Sequence, residues 1–200
     1  AKKQNADLHV VKRGKTFLPL RLIGDHQQEN ARVAYKTLEC IDIFLRHQLD
    51  RALIKRTLGA VTVPGRLERL SSAPLIILDG AHNPAAIDAA FSAVKKLALG
   101  KPCVAVMGVA RDKNLARILP VIERHRMRVI ATQSSSSRAR PADEILSMAG
   151  ASSSVMLGVR DIKKALALAQ TCVGPQGIII VCGSFYLIAD VKRIFKRIPQ

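Results

Sequence analysis

From Leu75 onward, short uninterrupted apolar runs alternate with longer segments of helical spacing, and this alternation restricts the fold more than any other feature of the chain. The runs are Leu75–Leu78, Cys103–Met107, Arg128–Ala131 and Ile178–Val181, with Val155–Leu157 as a weaker one. The helical segments between and after them are Pro84–Leu99, Asn114–Arg124, Ala142–Ala149, Ile162–Cys172 and Leu187–Lys196. Apolar strands without polar alternation are buried on both faces, and an intervening helix is what a parallel crossover needs. The expected architecture is therefore α/β, a Rossmann-like domain of about five or six strands.

The first part of the chain reads differently. Residues 1–12 are polar and carry no strong period. His9–Lys12 and Thr16–Ile23 are β-type runs flanking Arg13-Gly14-Lys15, a spacing that predicts a hairpin. After Gly24 the period turns helical: Ala31, Val33, Ala34, Leu38, Ile41, Phe44 and Leu45 form an apolar stripe, with Asp25 placed to cap it. A second helical stretch, Arg51–Leu58, runs into Gly59. Thr62-Val63-Pro64-Gly65-Arg66 and Ser71-Ser72-Ala73-Pro74 then break the pattern twice. The division this predicts is 1–60, a linker over 61–72, and an α/β domain over 73–200. Ser134–Ser137 is of low complexity and reads as a mobile loop.

Composition narrows the function classes. Lys and Arg number 32 against 15 Asp and Glu, a net charge of +17 spread along the chain, which favours polyanions in general. Trp is absent, with Tyr at 2 and Phe at 5, so a stacking platform for nucleic acid is lacking and nucleic acid is not the expected partner. Cys40, Cys103, Cys172 and Cys182 form no CxxC pair and no metal spacing; Cys103 and Cys182 sit in apolar runs and read as small buried hydrophobes. No apolar stretch reaches membrane-spanning length and no secretory signal is visible, so the expected compartment is the cytoplasm.

In an open parallel sheet, ligands meet the carboxyl ends of the strands. The segments following those ends are Asp79-Gly80-Ala81-His82-Asn83-Pro84, Gly108, Thr132-Gln133 and Gly183-Ser184. Asp79 ends an apolar strand, where a carboxylate can accept from a ribose hydroxyl. His82 can donate to a phosphate oxygen, and Asn83 can cap the helix that Pro84 opens. In Pro64-Gly65-Arg66, the guanidinium suits a phosphate or the flat face of a base. In Gly24–Asn30, Gln27 and Asn30 share one helix face. Gly14-Lys15-Thr16 is not a phosphate loop: His9 stands where that motif needs glycine, and a strand pattern follows where it needs a helix. Neither a complete Walker sequence nor GxGxxG occurs, which argues against a self-sufficient ATPase or dehydrogenase.

Taken in order, Leu22-Ile23-Gly24-Asp25-His26-Gln27-Gln28-Glu29-Asn30-Ala31, Pro64-Gly65-Arg66-Leu67-Glu68 and Leu78-Asp79-Gly80-Ala81-His82-Asn83-Pro84 resemble the folylpolyglutamate synthase/dihydrofolate synthase family of the Mur ligase superfamily. Val106-Met107 with Asp112-Lys113, Thr132 with Ser137-Arg138-Ala139, and Cys182-Gly183-Ser184-Phe185-Tyr186-Leu187 continue the resemblance, which spans residues 16 to 195. It implies a two-domain, ATP- and Mg2+-dependent ligase of folate metabolism that adds L-glutamate to dihydropteroate or to tetrahydrofolate polyglutamates through an acyl phosphate. It further implies Asn30 at the adenine, Arg66 at phosphate or base, Asp79 at the ribose and His82 near the phosphates as a catalytic group. Arg138 and Ser184 would shape the glutamate side.

On this resemblance the phosphate loop, the magnesium ligands and a carboxylated lysine would precede residue 1. Residues 1–60 would be the last hairpin and helices of the ATPase domain. The 200-residue chain alone is then expected to be inactive, or to bind ATP weakly, and the intact enzyme to be monomeric. Two other readings compete: a Mur-type cell-wall ligase or cyanophycin synthetase domain, and a non-catalytic basic module that binds polyanions. The spacing of Arg66 and Asp79 favours the folate branch over the first.

Overall fold

The computed structural model describes residues 8–12, 14, 18–45, 48–150 and 154–196. The chain divides into two compact units, Ala1–Thr62 and Val63–Gln200.

The first unit contains α1 (Asp25–Leu45) and α2 (Arg51–Ala60). Asp50 caps α2 by accepting the N–H groups of Ala52 and Leu53 at 2.8 and 3.2 Å. Asp25 was expected to precede α1 as its cap; it is instead the first helical residue, where its charge still faces the positive end of the helix. The expected hairpin is not formed by the described residues of His9–Lys12 and Thr16–Ile23; Arg13 and residues 15–17 lie outside them. Two strands without a third to pair with are marginal, and the chain here bonds to helices. The Gln28 side chain bonds both the N–H and the C=O of Leu18, at 3.3 and 2.8 Å, and Arg21 N donates to Gly59 O at 3.0 Å. Of the predicted α1 stripe, Ala31 is buried, whereas Val33, Ile41 and Phe44 are exposed.

The second unit is a six-stranded sheet in the order β1-β2-β6-β3-β4-β5. Its elements are β1 (Glu68–Ser72), β2 (Leu75–Leu78), α3 (Pro84–Ala98), β3 (Cys103–Met107), α4 (Leu115–His125), β4 (Arg128–Ala131), α5 (Ala142–Ala149), β5 (Val155–Gly158), α6 (Ile162–Val173), β6 (Ile178–Cys182) and α7 (Phe185–Lys196). All neighbouring strands are parallel except β1, which pairs antiparallel with β2. The expected linker over 61–72 is thus corrected: its last five residues, Glu68–Ser72, are an edge strand of the sheet, and Ala73-Pro74 is the turn joining that strand to β2, with Ser72 opposite Leu75.

The centre of the sheet is β6, all five residues of which are buried. One sheet face, including Ile76, Leu78, Val104, Val106, Ile130, Ile179 and Val181, packs with Ala165, Leu166, Ala169, Leu187 and Val191 of α6 and α7. The period of two places Ile77, Ala105, Val129 and Ile180 on the opposite face, toward the side of α3, α4 and α5. Because β6 returns between β2 and β3, the sheet has a topological switch at the carboxyl ends of those strands, where such folds open a ligand crevice. Among the described residues, no helix is long and apolar enough to cross a membrane.

Candidate functional site

The site is built where β2 and β6 end side by side, with Leu78 opposite Val181. Asp79 follows β2, and its N–H donates to Val181 O at 2.9 Å. Its side chain is buried, 4% exposed, and turns back on the backbone: Oδ1 accepts Ala81 N–H at 2.8 Å and Oδ2 accepts Leu67 N–H at 2.9 Å.

Arg66 sits on the turn that Asp79 holds. Its own N–H donates to Val63 O at 3.1 Å, and Gly80 N donates to Gly65 O at 2.7 Å. Leu67 is buried with φ 46°, a region that non-glycine residues seldom occupy, and its bond to Asp79 fixes it there. The guanidinium lies 5.2 Å from the centroid of the Phe185 ring, a cation–π arrangement. Phe185 in turn rests on Gly80: a Cβ at residue 80 would fall 2.2 Å from Phe185 Cζ, so only glycine admits the ring.

His82 Nδ1 lies 2.9 Å from Gly80 O. A carbonyl only accepts, so Nδ1 carries the proton and Nε2 of the neutral ring is an acceptor. This sharpens the sequence expectation, because donation from Nε2 to a phosphate oxygen requires the imidazolium. Asn83 caps α3 by accepting Ala86 N–H at 2.9 Å, with Pro84 at the first helical position, as its sequence position predicts.

Ser184 is buried immediately before α7, and its Oγ accepts Tyr186 N–H at 3.1 Å. Preceding it, Gly183 has φ 101° and donates to Ala81 O at 2.8 Å; a Cβ there would meet Gly108 O at 2.6 Å. The close approach of three strand ends is thus made by glycine. Arg66, Asp79, His82 and Ser184 therefore share one part of the sheet edge. Arg138 follows β4, two strands from β6; its guanidinium pairs with Asp112 at 3.1 Å, and Arg111 N donates to its carbonyl at 2.9 Å. The Asp112 carboxyl is held below its usual range by the Lys113 hydrogen bond first, against the opposing effect of burial, with the Lys113 and Arg138 charges adding to it. Asn30 belongs to the other unit, where Nδ2 donates to Gln27 Oε1 at 3.0 Å across one helix face, and Gln27 Nε2 lies 3.0 Å from His26 Nε2.

Two expectations differ from the structure in detail. The Ser134–Ser137 segment is pinned: buried Asp190 accepts from Ser135 N at 2.7 Å and Ser135 Oγ at 2.9 Å, and also pairs with Arg193. Asp190 is a carboxylate inside a helical apolar pattern, and nothing in the sequence links it to a loop so far away. Cys103 is only half-buried and its thiol donates to Lys101 O at 3.4 Å, whereas Cys182 is fully buried as expected. Burial pushes the Cys182 thiol far above its ordinary value, and the nearby Asp79 charge adds to this. The residues that sequence reasoning left without a role are Glu68, Phe185 and Lys192. Glu68 and Phe185 lie within the quoted motifs; Lys192 has no local signal.

A family model described as Mur ligase, glutamate ligase domain, matches residues 65–185. Dihydrofolate synthase/folylpolyglutamate synthase of Mycobacterium tuberculosis is 35% identical over 135 residues, 67% of this chain and 27% of that protein. The solved Mycobacterium tuberculosis folylpolyglutamate synthase complexed with ADP superposes with a TM-score of 0.77 at 30% identity, covering 92% of this chain and 43% of that one. A bifunctional folylpolyglutamate synthase/dihydrofolate synthase with Mn, AMPPNP and L-glutamate bound gives a TM-score of 0.71 at 26% identity, covering 92% and 43%. The chain spans less than half the length of each of these proteins.

Proposed function

Because the chain belongs to the Mur ligase family through its glutamate ligase domain, we propose that it is the C-terminal portion of an ATP-dependent folylpolyglutamate synthase/dihydrofolate synthase. The observation that carries this reading is the junction of Asp79 with the Arg66 turn at the topological switch of the sheet. One buried carboxylate there holds the backbone of the turn that carries Arg66, and a guanidinium is the side chain best suited to a nucleotide's phosphates. The likeness to proteins solved with ADP, and with AMPPNP and L-glutamate, supports a nucleotide and an amino acid as ligands.

In the proposed reaction the ATP γ-phosphate passes to a carboxylate of dihydropteroate or a folate. The glutamate amine then attacks the acyl phosphate, an amide forms and phosphate leaves. Arg66 stabilises phosphate charge, Asp79 accepts from the ribose hydroxyls, and Asn30 meets the adenine. His82 Nε2 donates to a phosphoryl oxygen when the ring is protonated and otherwise accepts a proton. Ser184 and Arg138 border the glutamate. Among the described residues, no group of three or more His, Cys, Asp or Glu side chains is placed to hold a metal ion. We place the phosphate loop and metal ligands in the part of the relatives that this chain does not span, and expect the chain alone to be inactive. We assign residues 1–60 to the ATPase domain of those relatives, and infer a monomeric enzyme working in the cytoplasm.

The test is complementation. The N-terminal half of a related enzyme is mixed with this chain, and phosphate release dependent on dihydropteroate and glutamate is followed, with His82→Gln as control. Release that needs both pieces and falls at least tenfold in the variant supports the reading. Turnover by the chain unaided contradicts it, as does absence of both release and any ATP-dependent thermal shift. The net charge of +17 keeps a second reading open, a non-catalytic polyanion-binding module. Steeply salt-dependent nucleic-acid binding without nucleotide effects would favour that module.

A further inference from the structure

Arg66 is flanked by two amides, and each is held by a different carboxylate. Leu67 N–H is bound by Asp79 Oδ2 at 2.9 Å; Gly65 N–H is bound by Glu68 Oε2 at 2.8 Å. Glu68 is the first residue of β1, in register with Leu78, so its backbone is fixed by the sheet while its side chain reaches back over the turn. Both Glu68 oxygens also meet Lys192 Nζ, Oε1 at 2.6 Å and Oε2 at 2.8 Å. Lys192 lies two turns along α7 from Phe185, on the same helix face. One helix thus touches the turn twice, through the Phe185 ring beneath the Arg66 guanidinium and through Lys192 on the carboxylate that holds Gly65.

We propose that Glu68 and Lys192 are positioning residues for Arg66, tying the phosphate-facing turn to α7 so that the guanidinium is preorganised on Phe185. The proposal rests on the reading that Arg66 meets nucleotide phosphate. Stability alone gives little reason for the pair: Lys192 and Glu68 are 30% and 28% exposed, and ion pairs so close to solvent contribute little. What the pair does is geometric. Glu68 bonds to the one residue before Arg66, Asp79 to the one after, and Arg66 N–H itself is spent on Val63 O. Three successive amides are fixed, so the side chain between them leaves the backbone in one direction. Removing Glu68 frees one end of that clamp and leaves the other intact. Glu68→Gln keeps one oxygen for Gly65 N–H and loses the charge and the second acceptor that meets Lys192.

The experiment titrates the 15N-labelled chain with ADP, following the Gly65 and Arg66 amides, in wild type, Arg66→Ala, Glu68→Ala, Glu68→Gln, Lys192→Met and the Arg66→Ala/Glu68→Ala double variant. Expected are a loss of ADP affinity of about fivefold or more in Glu68→Ala, a smaller loss in Lys192→Met, and rescue to within about twofold in Glu68→Gln. The double variant should bind no more weakly than Arg66→Ala alone, since Glu68 acts through Arg66. Additive losses, or unchanged affinity in both Glu68→Ala and Lys192→Met, overturn the proposal. Where Arg66→Ala leaves binding unchanged, or the wild-type chain binds no ADP, the phosphate reading of Arg66 in this chain fails separately. Positioning itself is then decided without ligand: Gly65 amide exchange should rise about tenfold and Arg66 Nε relaxation should report a freer side chain in Glu68→Ala, and unchanged values refute it.

Discussion

Asp79 accepts the backbone N–H of Leu67 at 2.9 Å, and this bond makes the end of β2 and the turn carrying Arg66 a single hydrogen-bonded piece. The carboxylate therefore has a structural duty before any ligand arrives, and substitutions at residue 79 have to be read with that in mind.

Asp79→Ala strips the acceptor from two N–H groups at a buried position, those of Leu67 and Ala81. With a cost of ~1–3 kcal/mol for each buried donor left unmade, the expected loss is about 2–6 kcal/mol. Asp79→Asn retains one oxygen and should fall between wild type and alanine. Urea denaturation followed by circular dichroism measures the order; a variant as stable as wild type would show that solvent or another group takes over both amides.

Gly80→Ala drives a methyl group into the Phe185 ring. Phe185 is 44% exposed, so the ring can swing away, and the expected cost is about 1–3 kcal/mol together with loss of the Arg66 stacking. In a Phe185→Ala background the same substitution should cost less than half as much. Equal costs in the two backgrounds would mean that the ring is not what excludes a side chain at residue 80.

Burial raises the Glu68 carboxyl, but hydrogen bonds from Lys192 and Gly65 N–H and the Lys192 charge outweigh it, so its pKa lies below the ordinary 4.5. A group whose folded pKa is depressed stabilises the fold above its unfolded pKa and loses that contribution as pH falls through the folded value. The difference in Tm between wild type and Glu68→Gln should thus be full near neutrality and shrink below about pH 4.5. Its size should be within the ~0–1 kcal/mol of a partly exposed pair. A difference that grows on acidification would contradict the pairing.

Cys182 should be the slowest of the four cysteines to react with a thiol reagent in the native protein. Its thiol is fully buried and held protonated by burial and the Asp79 charge, while Cys40, Cys103 and Cys172 are partly exposed. Mass-spectrometric mapping of timed alkylation should show Cys182 labelled at least tenfold more slowly than Cys103, with the difference vanishing in denaturant. Comparable native rates would mean that β6 opens readily.

Residues 75–200 were legible from sequence because their signals are local. Four-residue apolar runs, helical spacing, Asn83 before Pro84 and polar turns after strand ends each act within a few residues. The strand bounds of β2, β3 and β4 and the bounds of α5 follow from them. The same logic misplaced β1, since Glu68–Ser72 has no apolar alternation and becomes a strand only by pairing with β2. It also gave a hairpin over residues 9–23 where the described residues bond to helices instead.

By itself the sequence determined the α/β class, the starts of α2, α3, α5 and α6, and the placing of Asp79, His82 and Ser184 beyond strand ends, because backbone propensity and burial periodicity are properties of neighbouring residues. Only the tertiary structure decided that β6 lies between β2 and β3, and that Asp79 spends two bonds on Leu67 and Ala81. It alone brought Lys192 to Glu68, and Phe185 beneath Arg66. Which amide a buried carboxylate finds, and which ring a guanidinium covers, depend on strand order and helix packing between residues as far apart as Glu68 and Lys192, and no local pattern encodes that distance.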